Sequence, residues 1–349
     1  MRNLEALISS ERQLIYEVRN FESYRRDFVI NVSSQYFNLL TRQQAVRNRY
    51  LQYLESVKLQ DRTDSLFKAG LQPALEVQRA QQQLLQSEDD VNRAVQSYEN
   101  SLDDFKLLVG MPVDQELAII PIAIDVVDPD LDVNNITATA KRFRLDLQTA
   151  RDQVDDARRQ VEIAKNDLLP DLNLNVDTGF GNRDGTRARQ LDTRSLTYTA
   201  DLTLDLPIDR LAERNRYRSS LINLQSSQRN VLDLEQNILG DMRGAARAIR
   251  SAQTSLELQR RGIEIARLRL ENANVNLLLG KSDARNVVEA QTSLLTAQDN
   301  YERAKADLQI QVLSYLRDTG QLRLDPASGQ LGIAMVRDMP DVMQQGAVR

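Results

Sequence analysis

The side chains best placed to act on something outside the chain are Asn173, Asn175, Asp177, Thr199, Asp201, Thr203 and Asp205, which recur at every second position of two short stretches. In extended backbone that spacing lines up one face, so these groups would offer water or an ion an unbroken polar surface. Bond-making chemistry is harder to assemble. The chain has no His, no Cys and no Trp. Imidazole bases, thiolate nucleophiles and the usual zinc, iron-sulfur and haem ligands are therefore missing, and no catalytic group, cofactor or metal site is expected. A carboxylate pair on facing helices is the enzymatic option that remains, and no spacing among the 50 acidic residues singles one out.

The elements that must hold those polar groups follow from composition. Thirteen Gly and eight Pro in 349 residues, with 5% aromatics, mean few turns and few bulky core anchors. Long uninterrupted elements are the consequence. Forty-five basic against 50 acidic residues leave a net charge of -5, and no basic stretch stands clear of acids, which argues against a nucleic-acid partner. The longest apolar candidate for a membrane-spanning helix, Leu117 to Ile124, is short and interrupted by Pro121. The start, Met1-Arg2-Asn3-Leu4-Glu5, reads as amphipathic helix where a secretory leader would need an apolar core. Absence of Cys fits a reducing cytosol or an oxidising space equally and places the chain in neither.

No proline falls within 1–72 or 208–325 apart from the boundary at 73, so both tracts are expected to be helical. Alternating steps of three and four residues from Leu221 to Leu277 meet polar side chains only at Gln228, Glu235 and Gln259. A 3.5-residue period kept that long is a coiled-coil seam. The first tract, about 4 to 62, follows the same pattern less cleanly. Each long helix is followed by a glycine, Gly70 or Gly280, and then by a second amphipathic segment, 74–108 or 284–318. Two helical hairpins result. They superpose at an offset of 210 without a gap, with identities at Gly70/Gly280, Ala74/Ala284, Gln81/Gln291, Leu85/Leu295, Asp89/Asp299, Arg93/Arg303 and Gly110/Gly320 among others. Shared heptads would match Leu and Ala, but not both flanking glycines together with Gln and Asp, so the unit reads as duplicated.

Between the repeats a third helical segment, 138–169, ends at Pro170. There the period changes to two. Residues 171–180 and 196–206 alternate apolar and polar side chains around a polar loop, 181–194, and Pro207 ends the second strand. A soluble sheet with one wet face would explain such a hairpin. A strand about 10 residues long with one greasy and one polar face also suits a tilted crossing of a bilayer, and a lone two-stranded hairpin is marginal in water. Its apolar face is expected to meet other copies or lipid.

These residues resemble the TolC-like outer-membrane factors, the exit ducts of tripartite efflux and type I secretion systems. The resemblance rests on the tip and following helix from Leu279-Gly280-Lys281-Ser282 to Glu289-Ala290-Gln291, on its earlier copy from Ala69-Gly70 to Ala80-Gln81, and on the strand flanks Leu169-Pro170-Asp171-Leu172 and Leu204-Asp205-Leu206-Pro207. It covers nearly the whole chain and implies a mainly α protein: long antiparallel coiled-coil hairpins in two repeats, with one transmembrane-type β-hairpin contributing to a barrel shared by a homotrimer. By that resemblance 1–110 and 208–320 are tunnel hairpins, 111–137 an equatorial linker, 138–169 a helix, 170–207 the outer-membrane hairpin, and 321–349 an equatorial or flexible tail. It also implies adaptor contacts at the tips Gly70, Leu71, Gly280, Lys281 and Ser282. A channel constriction would fall on Glu76, Asn286 and Glu289, of which Asn286 departs from the family's acidic pattern. The polar residues Asn173, Asn175, Asp177, Asp201 and Asp205 would face the barrel lumen, with Tyr198 and Phe180 toward lipid. The partners implied are two further copies, outer-membrane lipid, and a periplasmic adaptor that reaches an inner-membrane transporter, with most of the chain in the periplasm.

A family protomer carries a strand hairpin before each long helix, and the first is absent here, so the sequence reads as truncated at its N-terminus. Three copies with two strands each would supply fewer than the roughly eight strands of the smallest ordinary barrels. Two other readings stand beside the duct. A non-transporting coiled-coil scaffold or spacer explains the heptads but leaves the alternating hairpin unaccounted for, and an adaptor would carry one helical hairpin and several soluble β modules.

Overall fold

The structure is a computed structural model, in which residues 2–120, 131–180, 196–205, 209–324 and 331–333 are described. The chain is mainly helical. In order it runs α1 (Arg2–Lys68), α2 (Ala74–Leu108), α3 (Val133–Phe143), α4 (Leu145–Asn166), β1 (Asp171–Phe180), β2 (Leu196–Asp205), α5 (Leu211–Leu278), α6 (Ala284–Asp318), β3 (Leu322–Leu324) and β4 (Leu331–Ile333). No helix among the described residues is long and apolar enough to cross a membrane.

Helices α1, α2, α5 and α6 end where glycine lets them. Gly70, Gly110, Gly280 and Gly320, the four that the offset of 210 pairs, have φ of 73°, 76°, 65° and 72°. At the first tip Gly70 N–H donates to Phe67 O (2.9 Å) and Leu71 N–H to Leu66 O (2.9 Å). At the second, Gly280 N–H donates to Leu277 O (3.1 Å) and Lys281 N–H to Asn276 O (2.9 Å). Both are Schellman turns, which satisfy the last helical carbonyls and need a left-handed residue that L side chains adopt at a cost. The repeat of the sequence is thus a repeat of backbone geometry. Along α5 every position of the expected seam except Gln228 is buried or half-buried.

Two compact units divide the chain: Met1–Arg19 with Asp146–Glu235, and Asn20–Leu145 with Gln236–Arg349. In the first, α4 buries Leu147, Ala150, Val154, Val161 and Ala164, a stripe at helical spacing. Polar pins fix it: Arg19 donates to Asp152 Oδ2 (2.7 Å), Gln160 to Glu5 Oε1 (3.1 Å) and Arg151 to Glu235 Oε1 (2.8 Å). The Tyr16 hydroxyl donates to Asp156, and burial followed by that carboxylate pushes its pKa well above the usual tyrosine value. In the second unit Ile136, Ala140 and Phe143 of α3 are buried, as are Ile238, Met242, Ala246 and Ile249 of α5.

Two expectations are corrected. The helix read as one segment over 138–169 is two, α3 and α4, separated at Arg144, whose φ of -69° and ψ of 123° are extended. Strand also exists beyond the hairpin: β3 and β4 pair antiparallel, Leu322 opposite Ile333 and Leu324 opposite Leu331, within the segment read as belt or tail. The loop expected over 181–194, Pro207, residues 121–130 of the expected linker, and 325–330 and 334–349 of the expected tail lie outside the described residues.

Candidate functional site

Two places carry the residues that the sequence singled out: the hairpin in the first unit and the paired helical tips in the second.

In the hairpin, β1 and β2 pair antiparallel with Leu172 opposite Leu204, Leu174 opposite Leu202, Val176 opposite Ala200 and Thr178 opposite Tyr198. Residues opposite one another share a face. One face is therefore apolar but for Thr178. The other pairs Asn173 with Thr203, Asn175 with Asp201, Asp177 with Thr199 and Asp171 with Asp205, and holds no cation. The register thus brings Asn173, Asn175, Asp177, Asp201 and Asp205 together, and the Asn175 amide donates to Asp201 Oδ2 (3.3 Å).

Among the described residues the apolar face finds no cover. Leu174 is 66% and Leu202 67% exposed, and Leu172, Val176, Tyr198 and Leu204 are exposed as well. A leucine side chain left in water forfeits about 1.5–3 kcal/mol of burial, so a row of them on one ribbon marks a surface made for another medium. Phe180 is opposite Leu196 in the same register.

At the tips, Gly70, Leu71, Gly280 and Lys281 are exposed and Ser282 is half-buried. Phe67, Leu75, Leu278 and Leu279 are exposed around them, an apolar collar of which the sequence reading named Leu279 as part of a tip and passed over the rest. Below the tips Leu59, Ala80, Leu277, Ala284 and Val287 form a buried cluster that draws on α1, α2, α5 and α6. The α6 N-terminus is capped by Asp283, which accepts from Asn286 N–H (3.2 Å), while α2 begins at Pro73 without a side-chain cap.

Glu76 departs from the expected set of channel-lining carboxylates. It is 4% exposed. Its Oε2 accepts the Ala284 N–H (3.1 Å) and its Oε1 pairs with Arg79 (2.5 Å). The carboxylate thus sits on the first amide of α6, where the helix dipole favours negative charge, and ties the two tips together. Asn286 occupies the same place in the second repeat and is exposed, its amide donating to Ser282 Oγ (2.8 Å). Glu289 is exposed too and pairs with Arg285 (3.1 Å). The structure brings Glu76 to the second tip and leaves Asn286 and Glu289 in solvent. Replacing Glu76 by Ala should destabilise the tip by about 1 kcal/mol, the worth of a helix cap. Amide hydrogen exchange at Ala284 should speed up accordingly, and Glu76→Gln, which keeps an acceptor, should retain most of the protection.

A second polar junction went unread. Asp299, 9% exposed, accepts from Asn48 Nδ2 (3.1 Å) and Arg49 Nη2 (2.9 Å), which joins α6 to α1 across about 250 residues of sequence. The Asp89/Asp299 identity was its signal.

Residues 138–317 match the family described as outer membrane efflux protein. The outer membrane protein TolC of Escherichia coli (strain K12) is 22% identical over 339 residues, which span 92% of this chain and 67% of that protein. The outer membrane protein TolC of Salmonella enteritidis is 22% identical over 302 residues, and there the match spans 82% of this chain and 59% of that protein. Among solved structures, the CmeC outer membrane channel of Campylobacter jejuni superposes with a TM-score of 0.73 at 17% identity, over 90% of this chain and 67% of that one. The chain therefore spans about two thirds or less of the length of these relatives.

Proposed function

The chain belongs to the outer membrane efflux protein family, and from that premise we propose that it is the outer-membrane channel component of a tripartite efflux or type I secretion system, a passive exit duct from periplasm to exterior. The observation that carries this reading is the hairpin. Its apolar face is exposed at Leu172, Leu174, Val176, Tyr198, Leu202 and Leu204, its polar face holds carboxylates and no cation, and its register keeps the two apart. Hydrocarbon on one side and water on the other would satisfy both faces.

In this reading three copies associate, their hairpins contribute to a shared barrel in the outer membrane, and α1, α2, α5 and α6 build the periplasmic tunnel. Residues 111–137 and the segment with β3 and β4 serve as the belt around it. Gly70, Leu71, Gly280, Lys281 and Ser282 meet a periplasmic adaptor, and the exposed leucines beside them give that contact an apolar anchor. Asn286 and Glu289 line the periplasmic constriction, while Glu76 acts on it indirectly by holding the second tip. Energy comes from an inner-membrane transporter reached through the adaptor, and no bond is made or broken in the duct. A coiled-coil scaffold would use the same seams but gives the exposed leucines of the hairpin nothing to do.

The test is electrical. Acidic groups with no neighbouring cation attract cations into a lumen. The full-length protein that carries this chain, extracted from outer membranes and placed in planar bilayers, should give discrete conductance steps, with a reversal potential in a potassium chloride gradient that favours potassium. Asp177→Asn with Asp201→Asn should move that potential toward zero and leave the step size nearly unchanged. Absence of conductance, or an anion preference, would overturn the reading.

A further inference from the structure

Helix α5 opens against its own electrostatics. Arg214, Arg216 and Arg218 fall within its first three turns, and all three are exposed. The N-terminal end of a helix dipole disfavours cations, and two like charges at i and i+4, as at Arg214 and Arg218, repel one another along the helix surface. Among the described residues no carboxylate pairs with any of the three. Asp209 accepts the Leu211 N–H (3.0 Å), and Glu213 keeps its Oε2 buried without a hydrogen-bond partner. Arg216 also lines a cleft of about 590 Å³ between α4 and α5, together with Gln160, Asp167, Asn215, Ser219 and Asn223. A guanidinium set among hydrogen-bonding side chains is suited to phosphate oxygens, which it meets with two parallel N–H groups.

The place of these arginines names the source of the phosphate. Asp171 pairs with Asp205, so the chain enters and leaves the hairpin at one end, and the connection from Asp205 to Leu211 reaches at most about 20 Å. Along the chain the surface at that end is graded. Leu172 and Leu204 close the apolar face, Leu169 and Leu211 continue it onto the connections, all four are exposed, and the arginines follow. A phospholipid presents the same order, hydrocarbon and then phosphate. We propose that this end of the hairpin and the start of α5 bind anionic phospholipids of the leaflet that faces the periplasm. Acyl chains lie along Leu172 and Leu204, Arg216 takes a headgroup phosphate in the cleft, and Arg214 and Arg218 meet the phosphates of neighbouring lipids. Three arginines against Glu213 and Asp167 leave a positive surplus, which favours headgroups of net negative charge over zwitterionic ones. This inference rests on the proposed entry of the hairpin into the outer membrane and adds the class of lipid met at its periplasmic end.

The test weighs two lipids on one protein. The full-length protein that carries this chain is purified from outer membranes, stripped of lipid by detergent exchange, and titrated with phosphatidylglycerol or phosphatidylcholine, with bound lipid counted by native mass spectrometry. A basic residue beside an anionic headgroup strengthens binding about fivefold, so phosphatidylglycerol should be retained roughly tenfold or more better than phosphatidylcholine. Arg214→Gln, Arg216→Gln and Arg218→Gln together should erase that preference and leave the conductance step in planar bilayers as in the parent protein. Arg243→Gln with Arg247→Gln, two further exposed positions of α5, should keep it. Should the triple variant fail to assemble, Arg216→Gln alone carries the comparison, with about a fivefold loss of preference expected. Equal retention of the two lipids by the parent protein, an undiminished preference in the arginine variants, or displacement of phosphatidylglycerol by excess inorganic phosphate, the mark of a site for any small anion, would overturn this inference and leave the duct standing. Parent protein without conductance steps would overturn the duct itself.

Discussion

Leu174→Arg combined with Leu202→Arg should abolish delivery of the protein to the outer membrane and leave its far-UV helical signal almost unchanged. The two residues are direct cross-strand partners on the apolar face of the hairpin, and both are exposed within the chain. If that face meets lipid, each arginine near the bilayer midplane costs about 2–4 kcal/mol. Two like charges directly opposite one another add their repulsion. A penalty of that size exceeds what one hairpin can recover elsewhere. The helices lose no packing, because neither leucine is buried against them, so circular dichroism registers little. Asn173→Arg with Thr203→Arg is the control: the same charges sit at neighbouring partner positions on the polar face. That variant should still insert, with its cation preference weakened. Equal behaviour of the two double variants would sink the assignment of the faces.

The hairpin was legible because its signal is local. An apolar and a polar residue in alternation from Asp171 to Phe180 and from Leu196 to Asp205 allow one pairing in which the faces stay separate, and a slip by one residue would mix them. The long helices were legible for the same reason, since a period of 3.5 closed by Gly70 or Gly280 needs no knowledge of distant residues. What stayed hidden depends on contacts through space. Phe143-Arg144-Leu145 contains neither Gly nor Pro, and nothing in the local pattern marks the break between α3 and α4. Strands β3 and β4 are three residues each, too short for a period to show. Glu76 read as one more helix-surface acid, and its role emerges only once α6 begins within reach of it. Asp299 likewise acquires its meaning from Asn48 and Arg49, far away in sequence.

Gly320→Ala and Gly110→Ala should differ sharply in stability although the two glycines are equivalent in the repeat. Both have positive φ, 72° and 76°, and both follow a 35-residue helix. The left-handed conformation therefore charges each alanine the same cost, roughly 1–2 kcal/mol. Their surroundings differ. A Cβ on Gly110 would meet nothing within 4 Å, whereas one on Gly320 would lie 2.8 Å from both the carbonyl carbon and oxygen of Phe143 and 2.9 Å from its Cβ. Those atoms are mostly backbone and cannot swing aside as a side chain tip would. The end of α3 has to move, and overpacking of that kind costs about 1–3 kcal/mol more. Denaturant unfolding should accordingly show a loss of about 1–2 kcal/mol for Gly110→Ala and roughly twice that for Gly320→Ala. Amide exchange at the C-terminal end of α3 should speed up only in the second variant. Equal losses would mean that Phe143 yields freely and that its close approach to Gly320 adds no cost to the substitution. An unequal loss would separate the two reasons for keeping one glycine at both places, a turn in the first repeat and a turn pressed against a neighbouring helix in the second.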